Sequence, residues 1–163
     1  MAIRAERSRV LRSLMNRDGL TGLYSHVALK ERLESELSRS RRKKSPLCFA
    51  MLDLDRFKLV NDRNGHHEGD LVLRQVAHVI EHSLRVIDFI GRYGGEEFTI
   101  ILPETTCEDA RHVAQRIRTA VAEKQFSPVS GSKVHMTVSA GLTQYTADES
   151  ADSFVQRSDK AMY

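Results

Sequence analysis

The 163-residue sequence predicts an α+β domain, a central antiparallel sheet flanked by helices. Three observations predict it. Leu47–Leu54 is an apolar run that ends in Asp53-Leu54, the pattern of a central strand buried on both faces. Val134, Met136, Val138, Ala140 and Leu142 alternate strictly, the pattern of a half-buried strand. Stretches of helical period lie between and around them, with no repeat or low-complexity segment.

Taken in order, residues 2–17 read as a short helix with Val10, Leu11, Leu14 and Met15 on one side and arginines elsewhere. Alone it is marginal, so it reads as the end of a connecting helix over residues 1–17. Asp18-Gly19 breaks the pattern and marks the start of the domain, 18–163. A second helix runs from Ser25 to about Arg41, with Leu29, Leu33 and Leu37 four apart. After the Leu47–Leu54 strand comes a loop, then a helix over about Glu68–Leu84 with Val72, Val76, Val79 and Ile80 on one face. Phe89–Tyr93 and Glu96–Leu102 read as strands joined by Gly94-Gly95. Two glycines between strands predict a type I′ turn, which needs positive φ at both positions. Thr106 with Asp109 resembles a capping box. It opens a helix carrying Ala110, Val113, Ala114, Ile117 and Val121. The alternating strand follows, and Ala151–Tyr163 begins a last helix. The inner β-α-β-β-α-β order is the split, ferredoxin-like (palm-type) arrangement, with helices on one face of the sheet.

Composition narrows the functional classes. Hydrophobic residues make up 40% and charged residues 29%, as in ordinary globular proteins. A chain of this size buries roughly 70% of its unfolded surface, so neither a disulfide nor a structural metal is needed for a core. No apolar run approaches the roughly 18 residues that span a bilayer, and the charged Met1–Arg12 is no secretory signal. Cys48 and Cys107 form no CxxC pair, and Cys48 lies in an apolar strand; free thiols fit a reducing, cytoplasmic location and argue against zinc. The net charge of +3 divides into +7 over residues 1–45 and −4 over the rest. The sheet therefore lacks the basic, aromatic-bearing surface of a nucleic-acid binder. The Arg39–Lys44 run reads as a solvated helix end, where cations face the negative pole of the dipole.

The chemistry sits at strand ends. Asp53 and Asp55 close the apolar strand, two apart and so on one side of it. Paired acids at the end of a buried strand repel one another and lose solvation unless a cation joins them. Hard oxygen ligands of this kind suit Mg²⁺; the alternative is that one Asp simply caps the next segment. Glu96 and Glu97 follow Gly94-Gly95, where absent side chains leave room for a ligand against backbone; the alternative is a solvated hairpin tip. In the loop after the strand, Lys58 and backbone N–H groups around residues 56–58 suit phosphates. Asn61 and Asp70 can read a purine edge, Asp above all the N1–H and N2–H₂ of guanine. His66 alone reads as a structural hydrogen bonder, and His67 as exposed.

Taken together, Asp18-Gly-Leu-Thr-Gly-Leu23, Asp53-Leu-Asp-Arg-Phe-Lys58, Asn61-Asp62 with Gly65-His66 and Gly69-Asp70, Arg92-Tyr-Gly-Gly-Glu-Glu-Phe98, Thr137-Val-Ser-Ala-Gly141 and Ser158-Asp-Lys-Ala-Met-Tyr163 resemble the GGDEF family, the diguanylate cyclases. The resemblance covers residues 18–163 in order and spacing. It implies condensation of two GTP into cyclic di-GMP and two pyrophosphates, each 3′-hydroxyl attacking the other nucleotide's α-phosphate across a homodimer. It also implies that Asp53, the Leu54 carbonyl, Glu96 and Glu97 hold two Mg²⁺ (or Mn²⁺), with Glu96 the candidate proton acceptor and Lys58 neutralising phosphate charge. Asn61 and Asp70 would read guanine with His66 and Phe57 close by, Leu20 and Leu73 would wall the base, and Gly94 and Gly95 would lie against the nucleotide. Arg85-Val-Ile-Asp88 resembles the family's inhibitory RxxD motif, where product binds with a second contact from Arg116; the alternative is a surface ion pair.

The sequence departs from the family at Ser25-His26-Val27 and at Tyr163, where the phosphate-contacting Lys and Arg of family members have not yet been reached. Weaker GTP binding is the expectation. The basic helix before Asp18 implies an upstream sensory or receiver domain in the parent chain, which a membrane tether would suit equally. The competing reading is a catalytically silent module that binds GTP or cyclic di-GMP.

Overall fold

The computed structural model describes residues 16–127, 131 and 133–162. The helix expected over residues 2–17 falls almost wholly outside them. In chain order the elements are α1 (His26–Lys43), β1 (Leu47–Leu54), α2 (Phe57–Asn64), α3 (His66–His82), β2 (Phe89–Gly94), β3 (Glu97–Pro103), α4 (Cys107–Glu123), β4 (Gln125–Phe126), β5 (Val134–His135), β6 (Val138–Gln144) and α5 (Ala151–Met162).

The main sheet has the order β2-β3-β1-β6, and every neighbouring pair is antiparallel. β1 lies between two strands and is covered on both faces, which explains its unbroken apolar run. Alternation along β1 divides its side chains. Ala50, Leu52 and Leu54 join Val72, Val76, Phe98 and Ile117 under α3 and α4. Phe49 and Met51 join Leu29, Leu33, Ile101 and Phe154 under α1 and α5. The split β-α-β-β-α-β core is thus present, but helices cover both faces, because α1 and α5 add a second layer to the one expected. Among the described residues no helix is long and apolar enough to cross a membrane.

Side-chain caps fix the helix starts that the sequence revealed. The Ser25 hydroxyl accepts from the Ala28 N–H, and Thr106 Oγ1 accepts from the Asp109 N–H at 3.2 Å. Three expectations need correction. The segment after β1 is not a loop: Phe57–Asn64 forms α2, and α3 begins at His66 rather than Glu68. Nor does the Gly94-Gly95 pair make the turn. A register shift between Arg92 and Gly94 puts Gly94 opposite Glu97, leaving Gly95-Glu96 at the tip, and of the two glycines only Gly95 has positive φ. The alternating strand is divided as well. Val134–His135 pairs with β4 in a separate two-stranded sheet, and the main sheet resumes at Val138.

Close approach seats α5. A Cβ on Gly141 of β6 would meet the Met162 N at 2.7 Å and the Ser158 carbonyl oxygen closer still. The buried Ser158 hydroxyl donates to the Gly141 carbonyl at 2.9 Å. Cys48 is a free, buried thiol, pushed up to about 12 chiefly by desolvation and donating to the Thr105 carbonyl.

Candidate active site at the end of the central strand

Asp53 lies directly opposite Glu97 in the β1–β3 register, which places their Cβ atoms about 4.5–5.5 Å apart. Both fall on the α1/α5 face by alternation, in line with Met51 and with Ile101. Glu96 occupies the hairpin tip, and its carbonyl accepts the Leu54 N–H at 3.3 Å, tying the tip to the end of β1. Burial and the neighbouring charges of Glu96, Glu97 and Asp55 push the Asp53 carboxyl up to about 6. Glu97 is raised too, by desolvation first and then by Asp159 of α5 and Glu96. The carboxyl groups of Asp53, Glu96 and Glu97, with no ion pair among the described residues, form a donor set that fits hard divalent cations. Asp55 differs from the reading that paired it with Asp53: it accepts from Thr137 Oγ1 and Ser139 Oγ, both at 2.6 Å, and so ties the end of β1 to β6.

The hairpin tip has its own clasp. Arg92 donates through Nε and Nη2 to the Gly95 carbonyl at 3.0 and 2.8 Å, and its Nη1 reaches the Asp18 carboxylate at 3.4 Å. Asp18 in turn accepts from the Thr21 N–H and hydroxyl. Burial opposes ionisation of Asp18, but the Thr21 and Arg92 bonds outweigh it and hold its carboxyl below the usual range. The clasp bridges 74 residues of sequence, so only the fold reveals it.

The residues read as nucleotide contacts follow β1. Lys58 is exposed on the first turn of α2, after Arg56 in the left-handed region at φ 58°. Phe57 is buried. Asn61 is half-buried where α2 meets α3: a Cβ on Gly69 would collide with its side-chain oxygen and approach Phe57 Cζ at 3.3 Å. Gly69 thus brings Asn61 beside Asp70, which is exposed, as is His66 at the start of α3. The Leu20 carbonyl accepts from Arg74 of α3 at 3.1 Å, so Leu20 lies against the same helix. Leu73 is fully buried in the core beneath it.

Arg85 and Asp88 lie between α3 and β2, away from the acids. The Asp88 side chain is fully buried and accepts from Arg85 Nη2 at 2.8 Å and from the Arg85 N–H at 2.9 Å. Arg85 also reaches Thr105 Oγ1 and the Pro103 carbonyl. Arg116 of α4 donates twice to the Ser83 carbonyl, so it stands beside the same segment. The ion pair of the alternative reading is therefore present, and it is half buried.

The profile of the family described as "Diguanylate cyclase, GGDEF domain" matches residues 15–163. The chain belongs to the GGDEF family. Diguanylate cyclase DgcP of Pseudomonas aeruginosa is 42% identical over 146 residues, 90% of this chain and 22% of that protein. Diguanylate cyclase A of Treponema denticola is 43% identical over 141 residues, 86% of this chain and 38% of that protein. The chain thus spans well under half the length of these relatives. Among solved structures, the GGDEF domain of Caulobacter crescentus DgcB in complex with c-di-GMP is 34% identical and superposes with a TM-score of 0.87, covering 91% of this chain and 88% of that one. In this GGDEF domain the signature reads Gly94-Gly95-Glu96-Glu97-Phe98 and lies across the β2–β3 turn, with Phe98 wholly buried.

Proposed function

We propose that this GGDEF domain is a diguanylate cyclase acting as a homodimer, each subunit presenting one GTP. The observation that carries the reading is the acidic set of Asp53, Glu96 and Glu97, brought together by the β1–β3 register and the Leu54–Glu96 backbone bond, with no ion pair to them among the described residues. The 3′-oxygen of each GTP forms a bond to the other's α-phosphorus, and the bond to pyrophosphate breaks. The hydroxyl proton passes to a carboxylate, and Glu96 at the tip is our candidate acceptor. Asn61 and Asp70 hold the guanine edge beside His66, Lys58 faces the phosphates, and Leu73 of α3 and Leu20, which lies against that helix, support the base. Asp53, Glu96 and Glu97, with the Leu54 carbonyl, would hold Mg²⁺ (Mn²⁺ as the substitute), which supplies positive charge to the attacking and leaving oxygens.

Regulation follows the same reading. Arg85, Asp88 and Arg116 form a product site for cyclic di-GMP, since an Arg fork matches the O6/N7 edge of guanine. Residues 18–163 are the catalytic unit, and residues 1–17 lead from an upstream sensory or receiver domain. The test is incubation with GTP and Mg²⁺ followed by chromatography for cyclic di-GMP. Product formed by the wild type and lost in Glu97→Gln supports the cyclase. GTP bound without turnover by the dimerised domain would make it a silent binding module.

A further inference from the structure

We propose that the last turn of α3 carries a surface site for a transition-metal dication, Zn²⁺ or its neighbours Ni²⁺ and Cu²⁺, built from His78, Glu81 and His82. All three side chains are exposed, and each offers a ligand atom within 4.8 Å of the other two. The spacing is helical: positions i, i+3 and i+4 lie on one face. That face is opposite the buried Val72, Val76 and Ile80, so folding makes no use of it.

The imidazoles are already paired, with ring centroids 3.8 Å apart. His82 Nδ1 lies 2.8 Å from the His78 carbonyl oxygen. A carbonyl only accepts, so Nδ1 carries the proton of the neutral ring and Nε2 is the nitrogen left to offer a lone pair. This is the arrangement that fixes tautomer and ring direction in metal-bound histidines. A tetrahedral ion with bonds of about 2.0–2.1 Å needs ligand atoms roughly 3.3 Å apart, a closure within reach of rotating exposed side chains. The site lies at the C-terminal end of a 17-residue helix, the negative pole of the helix dipole, which favours a cation.

Two imidazoles and one carboxylate select the ligand class. They suit zinc, nickel and copper and not Mg²⁺, which prefers an all-oxygen shell. Three protein ligands leave a fourth position open to water or to a donor from outside. The site is separate from the acids at the end of β1, and its occupancy does not depend on the cyclase reading.

The test is competition for Zn²⁺ between the whole chain and a chromogenic chelator, with excess Mg²⁺ present to occupy the acids. One Zn²⁺ per chain is expected. His78→Ala and His82→Ala should each weaken it by at least the roughly 10–100-fold that loss of an outer-shell partner costs, and Glu81→Gln by less. Asp53→Asn should leave Zn²⁺ affinity unchanged. Co²⁺ in place of Zn²⁺ should show a visible band that vanishes in His78→Ala. Failure of the wild type to compete, or equal affinity in the His78→Ala/His82→Ala double variant, overturns the proposal.

Discussion

Replacing Gly69 by alanine separates stability from nucleotide recognition. Gly69 lies within α3, so alanine there gains about 1 kcal/mol of helix propensity. Against that gain, the new methyl occupies the place of the Asn61 side-chain oxygen and comes within 3.0 Å of its Cγ. The obstacle is the free end of a side chain and not backbone, so Asn61 rotates aside and the clash is largely relieved. The two effects nearly cancel, and Tm should move by less than about 4 °C. Guanine recognition has no such compensation. With Asn61 displaced, a nucleotide edge loses its amide partner, at about 1–3 kcal/mol, or roughly 5- to 150-fold in Kd. Calorimetric titration with a non-hydrolysable GTP analogue, beside a thermal melt, measures both. In an Asn61→Ala background the same Gly69→Ala change should cost almost nothing, because the colliding group is gone. Wild-type affinity in Gly69→Ala, or additive losses in the double variant, would refute the argument that Gly69 positions Asn61.

Three further outcomes are expected. Burial and the neighbouring carboxylates push the Asp53 carboxyl up to about 6 from its ordinary 3.8, so the folded metal-free chain binds more protons between those values and loses stability as pH rises through them. Asp53→Asn should therefore stabilise the metal-free domain at pH 7, by on the order of 1 kcal/mol after solvent screening, and not at pH 3; urea melts at the two pH values decide. Arg92→Lys keeps the charge but loses the fork on the Gly95 carbonyl; amide exchange at Gly95–Glu97 should accelerate, and unchanged exchange would mean that the clasp holds nothing. Arg85→Ala leaves the buried Asp88 carboxylate with its backbone bond alone, so stability should fall by about 1–3 kcal/mol while the inhibition constant for cyclic di-GMP rises; coincident inhibition curves for the two proteins would exclude a product site there.

What the sequence revealed follows from how local each signal is. β1 was legible because central burial demands an unbroken apolar run, and α4 because Thr106 announces it and its period repeats over 17 residues. α2 was not. It spans eight residues, starts after a left-handed Arg56 without a capping side chain, and buries only Phe57 and Val60. The turn was misplaced because glycine pairs announce flexibility, not register, and the shift between Arg92 and Gly94 has no sequence signature. The acids were legible as unpaired carboxylates at strand ends. The bonds that position them were not, since Asp18 reaches Arg92, and Asp55 reaches Thr137 and Ser139, only once the sheet has formed.

The seat of α5 has an electrical side. Gly141 lets the helix rest directly on β6, and this holds Asp159 near enough to Glu97 to raise its proton affinity. Like-charge repulsion falls with distance, so a helix lifted from its seat would release Glu97 towards its ordinary acidity. Docking of α5 on β6 thereby bears on the proton affinity of a carboxylate two strands away in the sheet. A shift of α5 on its seat would therefore alter the proton affinity of Glu97 without touching any residue of the acidic set.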